Sequence, residues 1–152
     1  MEKLFTVEDI ARMTSMTTRT IRNYLKAGTL KGRKIGGQWR FTGEDIANLM
    51  DIGSVSEEMS NNNKQAVIDF IDGVNTNCSD EIQVCAIIDL YHEISVAAEK
   101  RDKVLELVNF QMGDKDHMRF VYEYFESEQK GRITLFVPPN LLIEALKALQ
   151  YS

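Results

Sequence analysis

The fold turns on residues 17–28, which read Thr17-Thr18-Arg19-Thr20-Ile21-Arg22-Asn23-Tyr24-Leu25-Lys26-Ala27-Gly28. Thr17 suits an N-cap, because its hydroxyl can accept from the unpaired amides of a first helical turn. Gly28 suits a stop, because glycine adopts the left-handed conformation that ends helices. Between them Ile21, Tyr24 and Leu25 share a face, since spacings of three and four residues bring helical side chains together. Arg19, Arg22, Asn23 and Lys26 fall largely elsewhere. The pattern predicts a short helix with an apolar anchor on one side and cationic, donor-rich side chains on the other.

Both flanks support this reading. Upstream, Thr6 and Asp9 form a capping-box pattern before Val7, Ile10, Ala11 and Met13, which predict a first helix. Thr14 and Ser15 interrupt it. Downstream, residues 30–35, the pair Gly36-Gly37 and residues 38–41 read as a β-hairpin. Thr42 and Asp45 repeat the cap before Ile46, Leu49 and Met50. Residues 1–50 therefore predict three short helices and a hairpin, a winged helix-turn-helix.

Charge gives this head a partner class. Nine basic against five acidic side chains leave residues 1–50 at +4, so 51–152 carries −9 toward the chain's net −5. A polyanion is attracted to such a head and repelled by such a body. A helix that reads DNA presents donors to base edges from its N-terminal half. The hydroxyls of Thr18 and Thr20 can grip phosphate there. Arg19 can meet guanine O6 and N7, and Asn23 can pair with adenine. The hairpin adds Arg33, Lys34 and Arg40, and glycines at its tip allow close approach to a phosphate.

The run Thr20-Ile21-Arg22-Asn23-Tyr24-Leu25-Lys26-Ala27-Gly28-Thr29-Leu30 resembles the recognition-helix signature of the MerR superfamily. Gly37-Gln38-Trp39-Arg40-Phe41 is similar to that family's wing. The head resembles the excisionase-type branch more closely, whose short domains end in a Gly-Gly wing. The resemblance covers about residues 4–50. It implies that Arg19, Thr20, Arg22 and Asn23 face the major groove, that Tyr24 touches the DNA backbone or braces the helix, and that Arg33, Lys34 and Arg40 contact phosphate. Gly37, Gln38 and Trp39 complete the expected DNA-binding set. Trp39 reads first as the lid of a small core, its indole N–H free for a phosphate. Asn23 stands where many MerR regulators carry a second tyrosine. No apolar heptad follows Met50, so a coiled-coil dimer is not expected and any homodimer must form through the rest of the chain.

Residues 51–63, Asp51-Ile52-Gly53-Ser54-Val55-Ser56-Glu57-Glu58-Met59-Ser60-Asn61-Asn62-Asn63, are polar and without sustained period. They read as a linker. Residues 64–152 predict a separate acidic α+β domain for ligand sensing or dimerisation. Its helices are expected over 64–74, 96–112 and 141–149, the longest stopping at Gly113. Residues 82–91 form a continuous apolar run, the mark of a strand buried on nearly both faces. Residues 118–125 alternate, and Ile133, Leu135 and Val137 continue as a strand stopped by Pro138-Pro139. The βαββα order suggests a small ferredoxin-like or related sandwich. The row Phe120, Tyr122 and Tyr124 reads as a sheet face packed on helices, or as the lining of a ligand pocket or dimer surface.

The remaining chemistry-bearing residues suggest no second activity. Cys78 and Cys85 are too few for a disulfide framework, and Cys85 reads as a buried small hydrophobe. Cys78, Cys85, His92 and His117 fit no metal-ligand spacing. Asp89, His92 and Glu93 read as the solvated end of a strand. No phosphate loop, nucleophile elbow or carboxylate pair is present, so no enzyme and no cofactor are expected. Without an apolar h-region or membrane span, the expected location is the cytoplasm. The leading expectation is a sequence-specific transcriptional regulator that binds double-stranded DNA and answers to a small-molecule or protein effector. The alternatives are an excisionase-like architectural factor for recombination and a small-molecule-binding protein with an interaction-type head.

Overall fold

The computed structural model describes residues 4–74, 81–111 and 118–151. The head forms as its caps dictate. Helices α1 (Val7–Thr14), α2 (Thr18–Ala27) and α3 (Gly43–Met50) begin at Thr6, Thr17 and Thr42, and each threonine side chain accepts from the amide three residues on. At α1 and α3 the reciprocal bond is also made, by Asp9 and Asp45. Gly28 closes α2 at φ 77°. Between α2 and α3, strands β1 (Arg33–Ile35) and β2 (Gln38–Arg40) pair antiparallel, with Ile35 opposite Gln38. Gly36 and Gly37 lie at φ 60° and 81°, the left-handed pair that a two-residue hairpin turn demands. Phe5 bridges Phe41, and both rings are buried.

The first correction concerns residues 51–63. No linker separates head from body there, because helix α4 runs from Gly53 to Ile71. Its buried positions are Val55, Ser56, Met59 and Asn63, a stripe at helical spacing. Ser56 Oγ donates to the carbonyl of Tyr122, and Ser60 Oγ bonds to Glu123. Polar composition hid an amphipathic helix whose buried stripe is itself half polar.

The rest of the body is α+β in the expected βαββα order. Strand β3 (Val84–Leu90), helix α5 (Ile94–Gln111), strand β4 (Arg119–Phe125), strand β5 (Lys130–Val137) and helix α6 (Pro139–Gln150) follow one another. A 3₁₀ turn, Glu126–Glu128, joins β4 to β5. The sheet order is β3-β5-β4, and both pairings are antiparallel. The last strand thus inserts between the first two, the split β-α-β arrangement.

Register assigns the two faces of this sheet. Phe120, Leu135 and Ala86 align in one row, and Tyr122, Ile133 and Ile88 in the next. Phe120 and Tyr122 are only 0% and 2% exposed. The Arg101 guanidinium of α5 stacks 4.8 Å from the Tyr122 ring, so α5 covers this face. Phe120 and Tyr122 are therefore core, and the expectation that they form a ligand or dimer surface is withdrawn. Tyr124 is half-buried, and its hydroxyl donates to the carbonyl of His92. The opposite face carries Cys85, Ile87, Val121, Thr134 and Phe136. Phe136 meets Phe70 of α4 edge-on at 5.7 Å.

A second correction concerns residues 82–91. In β3 only Leu90 is buried, Cys85 is half-buried, and Ile87 is open to solvent. β3 is an edge strand, and α4 packs against β4 instead of over it. The expected helix stop at Gly113 and the residues Cys78 and His117 lie outside the described residues.

Head and body share one buried cluster. Met13, Met50, Val55 and Met59 belong with Val104, Met118, Val121 and Leu135. α1 and α4 pack against β4, and α3 packs against α5. No helix among the described residues is long and apolar enough to cross a membrane.

Candidate nucleic-acid interface

The apolar anchor of α2 is Ile21, fully buried, with Tyr24 and Leu25 partly buried beside it. Fixing that stripe forces Arg19, Arg22, Asn23 and Lys26 outward, and all four are exposed. The wing rises next to them. Thr18, Arg19, Arg22, Asn23, Leu25, Lys26 and Trp39 line one concave surface. Helix and hairpin therefore converge, and they do so on a cation-lined hollow.

Alternation along the hairpin sorts the wing's side chains. Lys34 and Trp39 are cross-strand partners on one side, and the Lys34 ammonium sits 5.5 Å over the indole. Arg33 and Arg40 are partners on the other. The Arg40 guanidinium donates to Gln38 Oε1 at 2.8 Å and to the carbonyl of Trp39 at 2.7 Å. The wing thus offers Trp39 and Lys34 toward α2, and Arg33 with Arg40 on its far side. Trp39 is 37% exposed and lines the hollow, so it is not the lid of a small core as expected.

Three residues on or near α2 are held within the protein. Thr20 bonds Thr17 Oγ1 through its hydroxyl at 2.9 Å. Arg22 Nη2 lies 3.4 Å from Glu8 Oε1, with both side chains more than half exposed. Such a pair is weak and readily screened, so a phosphate can compete for Arg22. Tyr24 donates its hydroxyl to Glu58 of α4. Burial, then the Glu58 carboxylate, push this phenol far above its ordinary range. Tyr24 therefore braces the helix, the second of its two expected roles.

Lys26 and Leu25 line the hollow but were missing from the expected DNA-binding set. The signal was present, because Lys26 stands four residues from Arg22 and seven from Arg19, on one helical face.

A buried arginine ties this surface to the body. Arg101 of α5 is 2% exposed and bonds Asp51, the C-cap residue of α3, and neighbouring Asp102. Burial alone would lower its pKa, but the two carboxylates more than offset that and raise it. The Tyr122 hydroxyl beneath is pushed up to about 12, chiefly by burial.

Residues 4–51 match a family model described as a helix-turn-helix domain. Searches among curated proteins and among solved structures gave no match. The head is a helix-turn-helix domain, a module whose second helix is shaped to lie in the DNA major groove.

Proposed function

We propose that the chain is a sequence-specific DNA-binding transcriptional regulator that acts by binding, without catalysis. The observation that carries this is the hollow shared by α2 and the wing, lined by Arg19, Arg22, Asn23, Lys26 and Trp39. In this reading α2 enters the major groove, where Arg19 and Asn23 read base edges. Thr18 and Lys26 meet phosphates at either end of the helix. The wing follows the sugar-phosphate backbone, with Lys34 and Trp39 on the helix side and Arg33 with Arg40 beyond. The acidic body stays away from the polyanion and serves two purposes: it receives an effector, and it joins two copies so that two half-sites are read together.

Duplexes selected from a random pool by the full chain test this reading. The expected product is an enriched motif, bound more weakly as salt rises, because phosphate contacts release counterions. Recovery of no duplex above background contradicts it. Binding that bends DNA without preference for a motif would instead favour an architectural role.

A further inference from the structure

The two outer strands of the body's sheet differ in what surrounds them. β4 is enclosed by α1 and α4. Among the described residues, β3 makes extensive contact only with β5. An open edge is a template for another strand, and proteins blunt such edges with lysine, proline or a covering element. β3, which reads Val84-Cys85-Ala86-Ile87-Ile88-Asp89-Leu90, contains no lysine and no proline. Its single charge is turned inward along the sheet. Arg132 Nε donates to Asp89 at 2.7 Å, and Lys130 Nζ lies 3.3 Å away. Ile87, at the strand's centre, is 54% exposed, and Ile82 and Tyr91 just beyond its ends are 60% and 68% exposed.

We propose that a second copy of this chain pairs antiparallel with β3, joining two three-stranded sheets into one of six. This rests on the reading that the body dimerises, and it names the surface. Three features select a second copy as the occupant. The first is charge. A two-fold axis at Ile87 sets each copy's Asp89 across from Cys85 of the other, so within the strand no carboxylate faces a carboxylate, and each Asp89 keeps its own cations. The second is symmetry, because one strand meets itself and the open main-chain groups of both copies are satisfied together. The third is the placement of the heads. They gather around β4, the far edge, so the contact covers neither hollow. In a continuous antiparallel sheet the two-fold stands perpendicular to the sheet, so both α4 helices lie on one side. Strands spaced about 4.8 Å apart put the two β4 strands roughly 24 Å from each other. The heads lie further out, toward the ~34 Å that separates successive major-groove half-sites.

Sedimentation equilibrium of the full chain, with and without Ile87→Arg, tests the proposal. The wild type should have twice the mass of one chain. Ile87→Arg should raise the dimer's dissociation constant by about tenfold or more. Ile87 is already open to solvent, so the variant should keep the wild-type circular dichroism and melting behaviour. A second variant guards against misfolding. Ile87→Cys, combined with Cys78→Ser and Cys85→Ser, places two thiols across the axis at a separation that fits a disulfide. Mild oxidation should then yield a covalent dimer. The exposed Glu81 and Glu93 flank the contact, so salt should leave the dimer intact or tighten it while weakening DNA binding. A wild type that stays monomeric overturns both the edge and the dimeric reading. A dimer that survives Ile87→Arg and fails to cross-link through position 87 overturns the edge alone. DNA selection by the monomeric Ile87→Arg chain reports separately on the head.

Discussion

Around β4 the chain closes on itself, while along β3 it stays open. α1 and α4 pack on β4, and next to them Arg101 bonds the C-cap of α3. At β3 the described residues leave Ile87, and Ile82 and Tyr91 just beyond the strand's ends, in solvent. The head has the same contrast at smaller scale. One side of α2 is sealed by Ile21 and by the Tyr24–Glu58 bond, and the other shows Arg19, Arg22, Asn23 and Lys26. Ile21 of α2 and the sheet residues Val121 and Leu135 belong to one buried core. Among the surfaces left open are a cationic hollow and an apolar edge, and their chemistry suits different partners.

The strongest way to break the closed side is from the body. Phe120→Ala empties a fully buried site and should cost about 3–5 kcal/mol of stability. Trp39 is the only tryptophan and lies in the head. In this variant its fluorescence should shift at the same denaturant midpoint as the circular dichroism of the whole chain. Two separate midpoints would show that head and body unfold independently. On the open side, Arg19→Ala or Arg22→Ala should each weaken duplex binding by about 1–3 kcal/mol. A fluorescence anisotropy titration checks this, and the melting temperature should barely move, because both side chains are exposed.

Arg101→Ala sits at the join. Asp51 and Asp102 are each about half exposed, so solvent screens the ion pairs. Their loss, together with the guanidinium stacked on Tyr122, should cost about 2 kcal/mol. Arg101→Met keeps the apolar stem and should recover part of that in a thermal melt. Tyr24→Phe removes one bond at the solvent boundary and should cost no more than about 1 kcal/mol. The smallest effect is a pH effect. Arg132 first, and Lys130 with it, hold the Asp89 carboxyl below its usual range. That contribution is present above the usual carboxylate range and is lost as pH falls through the lowered pKa. Asp89→Asn should therefore lower the melting temperature slightly near neutrality and flatten the acid side of the profile, converging on the wild type at low pH.

Local chemistry made the head legible. Thr6, Thr17 and Thr42 start helices because a hydroxyl two or three residues from free amides satisfies them with no help from distant parts of the chain. Gly36-Gly37 fixes its turn for the same reason. Long-range packing hid the rest. Val55, Met59 and Asn63 recur every four residues, but the third is polar and Ile52 offers no side-chain cap, so α4 resembled a linker until β4 was set against it. The run around Ile87 is as apolar as a central strand, and only the sheet order shows that it lies at an edge. At the candidate site, α2 could be read from spacing alone. The division of the wing into a Trp39–Lys34 side and an Arg33–Arg40 side required the register of the hairpin.

The most direct test of the central claim is the salt dependence of duplex binding by the full chain and by the Arg19→Ala/Arg22→Ala variant. Arg22, Lys26, Arg33, Lys34 and Arg40 predict a slope of about −4 to −5 for each head in a plot of log affinity against log salt, and the double variant should lose roughly one unit of it with the Arg22 phosphate contact. Affinity that ignores salt, or a slope the double variant leaves unchanged, would contradict the claim that this hollow is where DNA binds.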